Sequence, residues 1–212
     1  MIYLDNAATT VMHESVLARM MPYFSADFGN PGSVHAAGRA ALRAVMDARA
    51  TVARYLGCTP RQIVFTSGGT EADNWAVMGT VKRMGKRGKH IITTAMEHHA
   101  ILNCMQELEA QGYEVTYLKP NALGQITAEE LKAALRKDTI LVSVMMVNNE
   151  VGSVMPIAQM AKLTHKLCPD AIFHTDAVQG FLKVPFQAKN LGADLISVSS
   201  HKVHGPKGVG AL

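Results

Sequence analysis

The residues of this chain best suited to chemistry gather at 197–212, SVSSHKVHGPKGVGAL. An apolar strand at 194–198 leads into Ser199, Ser200, His201 and Lys202, followed by a glycine- and proline-rich turn. Open α/β sheets bind their ligands at the carboxyl ends of their strands, and Lys202 occupies such an end. Its neighbours in sequence are hydroxyls and imidazoles, not carboxylates. That setting suits an amine with a depressed pKa, able to form an imine, better than one engaged in a salt bridge. The competing reading is an ordinary solvated loop lysine, since lysines are mostly exposed.

The other strand ends weigh against that competitor. After a strand at 62–65 comes Thr66-Ser-Gly-Gly-Thr70-Glu, two glycines and three hydroxyls opening a helix. Free N–H groups at a helix start form a phosphate cradle, although Gly-Gly turns at such junctions are also common. After a strand at 90–93 come Glu97, His98 and His99. Adjacent histidines can bind metal, stack on an aromatic ligand, or simply cap a helix; no second pair with ligand spacing supports metal, and His165 with Cys168 reads as helix surface. A strand at 140–146 ends in Asn148-Asn149-Glu150, residue types that also form turns. A strand at 171–175 ends in Asp176, with Gln179 three positions on. A carboxylate at the end of an apolar strand needs a cation or a protonated nitrogen beside it. Cradle, ring stacker, amide, carboxylate and lysine converge on one rim, and this combination outlines a pyridoxal-phosphate site.

The elements that must position these residues follow from periodicity. Apolar residues at helical spacing predict a helix over 14–25, then a turn-rich loop at 28–35, then a long Ala/Arg helix over 36–56 closed by Gly57. From there strands and helices alternate: helices at 70–84 and 99–110, a strand at 114–118, and a turn at 121–124. A helix started by the Thr127/Glu130 capping box follows, then a helix at 156–167 with proline in its first turn. A last strand begins at Val209. This alternation predicts a three-layer α/β/α domain around a seven-stranded, mostly parallel sheet whose last strand is antiparallel.

Bulk properties narrow the function classes. The 212 residues carry a net charge of +4, with basic residues scattered along the chain. No basic run with interleaved aromatics suggests nucleic acid, and the 82–89 segment (KRMGKRGK) reads as a helix end and its turn. Cys58, Cys104 and Cys168 are irregularly spaced, as in a reducing compartment without a disulfide framework. No apolar run approaches the roughly 18 residues of a membrane span. With no leader-like opening, the expectation is a cytoplasmic protein that binds no membrane.

Seven motifs in order, YLDNAATT, FGNPGSVH, FTSGGTEADN, MEHHAI, VNNEVG, HTDAVQ and SSHKVHGPKG, resemble the cysteine desulfurases. These belong to the class-V aminotransferase group of fold-type-I pyridoxal-phosphate enzymes. The resemblance implies Lys202 as the Schiff-base lysine and Asp176 as the carboxylate on the pyridine nitrogen. It implies His98 as a ring stacker and proton shuttle, Asn149 and Gln179 as contacts to the ring oxygen, and Gly69, Thr70, Ser199 and His201 as the phosphate site. The implied reaction takes L-cysteine to L-alanine and passes sulfur on as a persulfide for iron–sulfur cluster or thio-cofactor assembly. The implied partners are a second copy of the chain, with the 28–35 loop near the interface, and a sulfur acceptor or iron–sulfur scaffold protein.

The resemblance has limits. Relatives take their nucleophilic cysteine and their carboxylate-binding arginine from a later part of the chain. Nothing here aligns with either, and the three cysteines read as structural or incidental. Ser200 stands where glycine is frequent in relatives, and His204 where an aromatic is. The expected organisation is residues 1–13 as a segment of the relatives' small domain and 14–212 as the cofactor-binding large domain, without the C-terminal small domain. Such a chain is expected to bind the cofactor weakly and not to turn over cysteine unaided. Rival readings are selenocysteine lyase, another class-V aminotransferase or lyase, and a non-catalytic scaffold that keeps the fold. A zinc or nucleotide protein built on His98-His99 and the Gly-Gly turn would leave Asp176 and Lys202 without a role.

Overall fold

A computed structural model describes residues 2–212, so Met1 of the opening segment lies outside the described residues. Seven strands form one sheet: β1 (Phe65–Thr66), β2 (His90–Thr94), β3 (Glu114–Leu118), β4 (Thr139–Ser143), β5 (Ile172–Asp176), β6 (Leu195–Ser199) and β7 (Gly210–Ala211). Their order across the sheet is β1-β7-β6-β5-β4-β2-β3. The run from β6 to β3 is parallel, whereas β7 lies antiparallel to both β6 and β1. The fold is thus the expected seven-stranded, mostly parallel sheet with an antiparallel last strand.

Seven α-helices accompany it: α1 (Glu14–Met20), α2 (Ala36–Leu56), α3 (Gly69–Met84), α4 (His99–Ala110), α5 (Ala128–Ala134), α6 (Ile157–Leu167) and α7 (Ala188–Leu191). The central strands alternate between two cores, because successive side chains on a strand point to opposite faces. Ile91 and Leu141 join the side chains of α3 and α4, including Val77, Val81, Ile101 and Met105. Their neighbours Ile92 and Val142 join Leu131, Met160 and Phe173 on the opposite face. With both faces covered, these strands need near-continuous apolar sequence, as 140–142 shows.

The element boundaries depart from expectation in a few places. The helix expected over 14–25 stops at Met20 and continues as a 3₁₀ turn, Met21–Phe24. Pro22 has no N–H to donate, so the α-pattern cannot carry on. The strand expected at 62–65 is replaced by a 3₁₀ turn, Pro60–Gln62, and the short β1. Gln62 is used locally, its side chain accepting from the Thr59 N–H at 2.9 Å. The fourth strand ends at Ser143 instead of continuing to 146. Val144 and Met146 still donate to the carbonyls of His174 and Asp176, so the chain stays bonded to β5 beyond the strand's end. Pro156 precedes α6 as its cap, and α7, four residues long, has too little periodicity to be visible in sequence. The Gly57 cap and the Thr127/Glu130 capping box are formed as expected. No helix among the described residues is long and apolar enough to cross a membrane.

Candidate active site

Because β1, β2, β4, β5 and β6 run the same way, their carboxyl ends reach one rim, and a cavity of about 590 Å³ opens there. All nine residues singled out from sequence line it: Gly69, Thr70, His98, Asn149, Asp176, Gln179, Ser199, His201 and Lys202.

Asp176 ends β5 and is almost fully buried. One carboxylate oxygen, Oδ1, accepts from the Val178 N–H at 2.8 Å. Burial raises this carboxyl to about 6, against the pull of Val178 and of the Lys202 charge. Lys202 closes the 3₁₀ turn after β6, and its Nζ donates to the carbonyls of Ala7 at 2.5 Å and Ala8 at 2.8 Å. Burial, then the Lys183 ammonium, draws the Lys202 amine below its ordinary value, while Asp176 and Asp5 oppose the shift. A carboxylate and a partly desolvated amine therefore face one cavity.

The helix start of α3 supplies the cradle. Gly68 caps it without a side-chain bond, and a Cβ on Gly69 would stand 2.7 Å from Val178 Cγ2, so a side chain there would force that wall to shift. A buried hydroxyl beside it, Ser199 Oγ, has no hydrogen-bond partner among the described residues. Ser199, His201, Lys207, Thr70 and Gly69 share a recess adjoining the main cavity. Unpaired helix N–H groups, an orphaned hydroxyl and a lysine make a fitting seat for a phosphate group.

His98 reconciles two of its readings. Its Nδ1 accepts from the Ala100 N–H at 3.1 Å and so caps α4, while the ring still faces the cavity. Burial, then His99 and Lys202, lowers its pKa and keeps the ring neutral. The two asparagines divide their work. Asn148 is buried and accepts from the N–H groups of Glu150 and Val151, so it builds the turn; Asn149 faces the cavity. Gln179 Nε2 donates to the Ala7 carbonyl at 2.7 Å. Burial, then the Lys202 and Lys207 ammonium groups, lowers the His201 pKa, and its Nδ1 lies 3.1 Å from Thr9 Oγ1.

Several lining residues were not singled out from sequence. Residues 7–10 run along the Lys202 turn, contributing backbone that an Ala-Ala-Thr-Thr string does not advertise. Val178 walls the cradle, and Asp73 sits one helical turn after Thr70. That i, i+3 spacing was the available signal for Asp73.

Cys58, Cys104 and Cys168 do not line the cavity, and burial raises the pKa of each thiol, which disfavours the thiolate. His165 is engaged with Asp194 at 2.9 Å, and Cys168 donates to the Arg136 carbonyl. No group of three or more His, Cys, Asp or Glu among the described residues is arranged to hold a metal ion.

Comparison with known proteins agrees with this geometry. The family described as "Aminotransferase class-V" matches residues 2–212. Cysteine desulfurase IscS of Neisseria meningitidis serogroup C (strain 053442) is 49% identical over 212 residues, covering 100% of this chain and 52% of that protein. Among solved structures, a NifS-like protein superposes with a TM-score of 0.96 at 40% identity, over 99% of this chain and 58% of the other. A structure described as "SspA in complex with cysteine" superposes with a TM-score of 0.95 at 41% identity, over 100% of this chain and 60% of the other. The chain spans about half the length of the curated relatives it matches. By fold, by rim chemistry and by a match along its whole described length, this chain belongs to the class-V aminotransferases, a family of pyridoxal-phosphate enzymes.

Proposed function

We propose that this chain forms the cofactor-binding part of a pyridoxal-phosphate-dependent cysteine desulfurase. The reaction takes L-cysteine to L-alanine and passes the sulfur on as a persulfide for iron–sulfur cluster or thio-cofactor assembly. One observation carries the reading: Asp176 and Lys202 face a single cavity whose far end is a glycine cradle with an orphaned hydroxyl. The cysteine desulfurase names of the relatives, and the cysteine bound to SspA, support the choice of substrate.

In this reading Gly69, Thr70, Ser199 and His201 hold the phosphate. Asp176 accepts a hydrogen bond from the pyridine N–H and keeps that nitrogen protonated. Asn149 and Gln179 bind the ring oxygen, and the neutral His98 covers a ring face. Bound there, the cofactor supplies an electron sink for the electron pair at the substrate Cα. Lys202 Nζ, its pKa already drawn down, is placed to hold the Cα proton and return it. The cavity holds no cysteine, so the thiol that accepts sulfur comes from elsewhere in the assembled enzyme. Residues 14–212 act as the large domain, with 1–13 as a strand of chain shared with a smaller one. The working unit is a homodimer, for which the exposed Phe28 and Val34 in the 28–35 loop provide an apolar contact, and a scaffold or acceptor protein takes the sulfur.

The experiment is an absorbance titration of the 212-residue chain with pyridoxal phosphate, before and after borohydride, with Lys202→Ala alongside. A cofactor band that borohydride fixes to the chain, and that the variant lacks, is expected. A folded chain that binds the cofactor equally well without Lys202 contradicts the reading. Turnover of cysteine by this chain alone contradicts the external thiol.

A further inference from the structure

Beneath the cavity floor lies a set of ionisable groups to which the proposed reaction assigns no task. His174 and Asp176 are two residues apart on β5 and therefore share the sheet face that α3 covers. His174 is completely buried, with Nδ1 2.9 Å from Ser143 Oγ and Nε2 2.9 Å from Ser197 Oγ. Those serines come from the strands on either side, β4 and β6, so the imidazole is fixed across the sheet. Asp73 descends from α3 onto this row, 1% exposed, with Oδ1 3.6 Å from His174 Nε2. That separation is too long for a hydrogen bond, and Oδ1 has no partner among the described residues. Glu97, from the loop after β2, carries a second such oxygen, Oε2.

Three buried carboxyl groups, Asp73, Glu97 and Asp176, thus lie close enough to influence one another, with His174 beside Asp73. An ionised carboxylate in such a place needs donors at both oxygens or a cation beside it. His174 offers Asp73 neither, because each of its ring nitrogens is already engaged with a serine. The basic group facing the cluster is Lys202, on the Asp176 side; Cys104 of α4 faces Asp73 and is itself an acid. Only one of the three carboxyls has both a backbone donor and a cation, and that is Asp176.

We infer that Asp73 is a positioning residue held protonated, so that Asp176 remains the one negative charge among these three buried carboxyls. The part of this inference that concerns Asp176 rests on the cofactor reading above; the protonation of Asp73 does not. The electrostatics point the same way. Burial, then the charge of Asp176, holds the Asp73 carboxyl well above its ordinary range, with the Ser197 hydroxyl opposing. Burial lowers His174 to about 3, leaving it a neutral spacer. Two charges concentrated side by side would repel, and one would be lost from the residue that has to meet the ring nitrogen. A neutral Asp73 removes that competition while filling the same volume.

The test is carbon-13 NMR of the chain labelled at aspartate carboxyls, followed from pH 5 to 9, with Asp73→Asn and Asp73→Ala. One aspartate resonance is expected to stay at the protonated position through pH 7 and to vanish in Asp73→Asn. In the pyridoxal phosphate titration, Asp73→Asn should keep the wild-type affinity within about twofold, whereas Asp73→Ala, which leaves a hole beside His174, should lose about tenfold. An Asp73 resonance at the ionised position at pH 7 overturns the inference, as does an Asp73→Asn variant no better than Asp73→Ala. A protonated Asp73 in a wild-type chain that fails to take up pyridoxal phosphate would overturn the cofactor reading and leave the protonation itself standing.

Discussion

Lys202 Nζ donates to the carbonyl oxygen of Ala7 across 195 positions of sequence, at 2.5 Å. The two segments are held together beyond this contact. Thr10 Oγ1 donates to the His201 carbonyl at 2.9 Å and accepts from the His204 N–H at 2.7 Å. His204 has a positive φ of 63°, a strained setting that this bond helps to hold. Thr10→Val keeps the shape and removes both bonds, leaving a backbone donor unpaired. The expected loss is about 1–3 kcal/mol in urea unfolding, with faster hydrogen exchange confined to residues 7–11 and 201–204. Unchanged exchange in those two segments would show that the hydroxyl is not what joins them.

Asp176 presents a conflict between stability and function. Its folded pKa, about 6, lies above the ordinary 3.8, so the folded chain binds this proton more tightly than the unfolded chain. The associated stability is full below pH 4 and is lost as pH rises through 6. Asparagine carries no such proton. At pH 8, Asp176→Asn is therefore expected to stabilise the cofactor-free chain, by about 1–3 kcal/mol. The same change should weaken pyridoxal phosphate binding about tenfold or more, because a neutral amide cannot keep the ring nitrogen protonated. A variant that is both less stable and unchanged in affinity would remove Asp176 from its proposed place.

How much of this was legible from sequence follows the range of the forces involved. The helices with local caps were plain: Gly57 with its positive φ of 74°, and Thr127 paired with Glu130, are decided within a few residues. The rim was legible because strand polarity alone brings strand ends together, so Asp176 and Lys202 could be placed on one rim without coordinates. What escaped was set by distant partners. Pairing with β7 confines β1 to Phe65–Thr66, and nothing local to 62–65 says so. The contribution of residues 7–10 depends on backbone carbonyls, which have no sequence signature. Asp73 was hidden because a polar residue early in a helix usually faces water, whereas here the helix lies over β5 and turns it inward.

Gly69 tests the cradle. A Cβ there would meet Val178 Cγ2 at 2.7 Å, so Gly69→Ala must displace either the Val178 side chain or the helix start. Overpacking of this kind costs about 1–3 kcal/mol in unfolding experiments. If the cradle seats a phosphate, the affinity for pyridoxal phosphate should fall by about tenfold, and that for pyridoxal, which lacks the phosphate, by much less. Equal losses for both ligands would place the phosphate somewhere other than this turn.

Glu97 should make the stability of the cofactor-free chain depend on pH in a way that runs against the usual behaviour of carboxylates. Its Oε1 accepts from Thr94 Oγ1 and the Met145 N–H, each at 2.8 Å, yet burial dominates and raises the carboxyl to about 8. The folded state therefore keeps a proton that the unfolded state releases above its ordinary 4.5. Stability from this group is complete below pH 4.5 and is lost as pH rises through 8. His174, lowered to about 3, opposes this below its ordinary 6.5, so the clean window lies from 6.5 to 8. There the wild type should lose stability relative to Glu97→Gln with a slope approaching about 1.4 kcal/mol per pH unit. Glutamine keeps the Oε1 acceptor and supplies N–H in place of the acid proton, so the comparison isolates the titration from the packing. Urea midpoints of the two proteins at several pH values give the slope directly. Parallel midpoints across the window would mean that Glu97 is ionised in the folded chain, with its charge balanced by a partner it does not have among its present contacts.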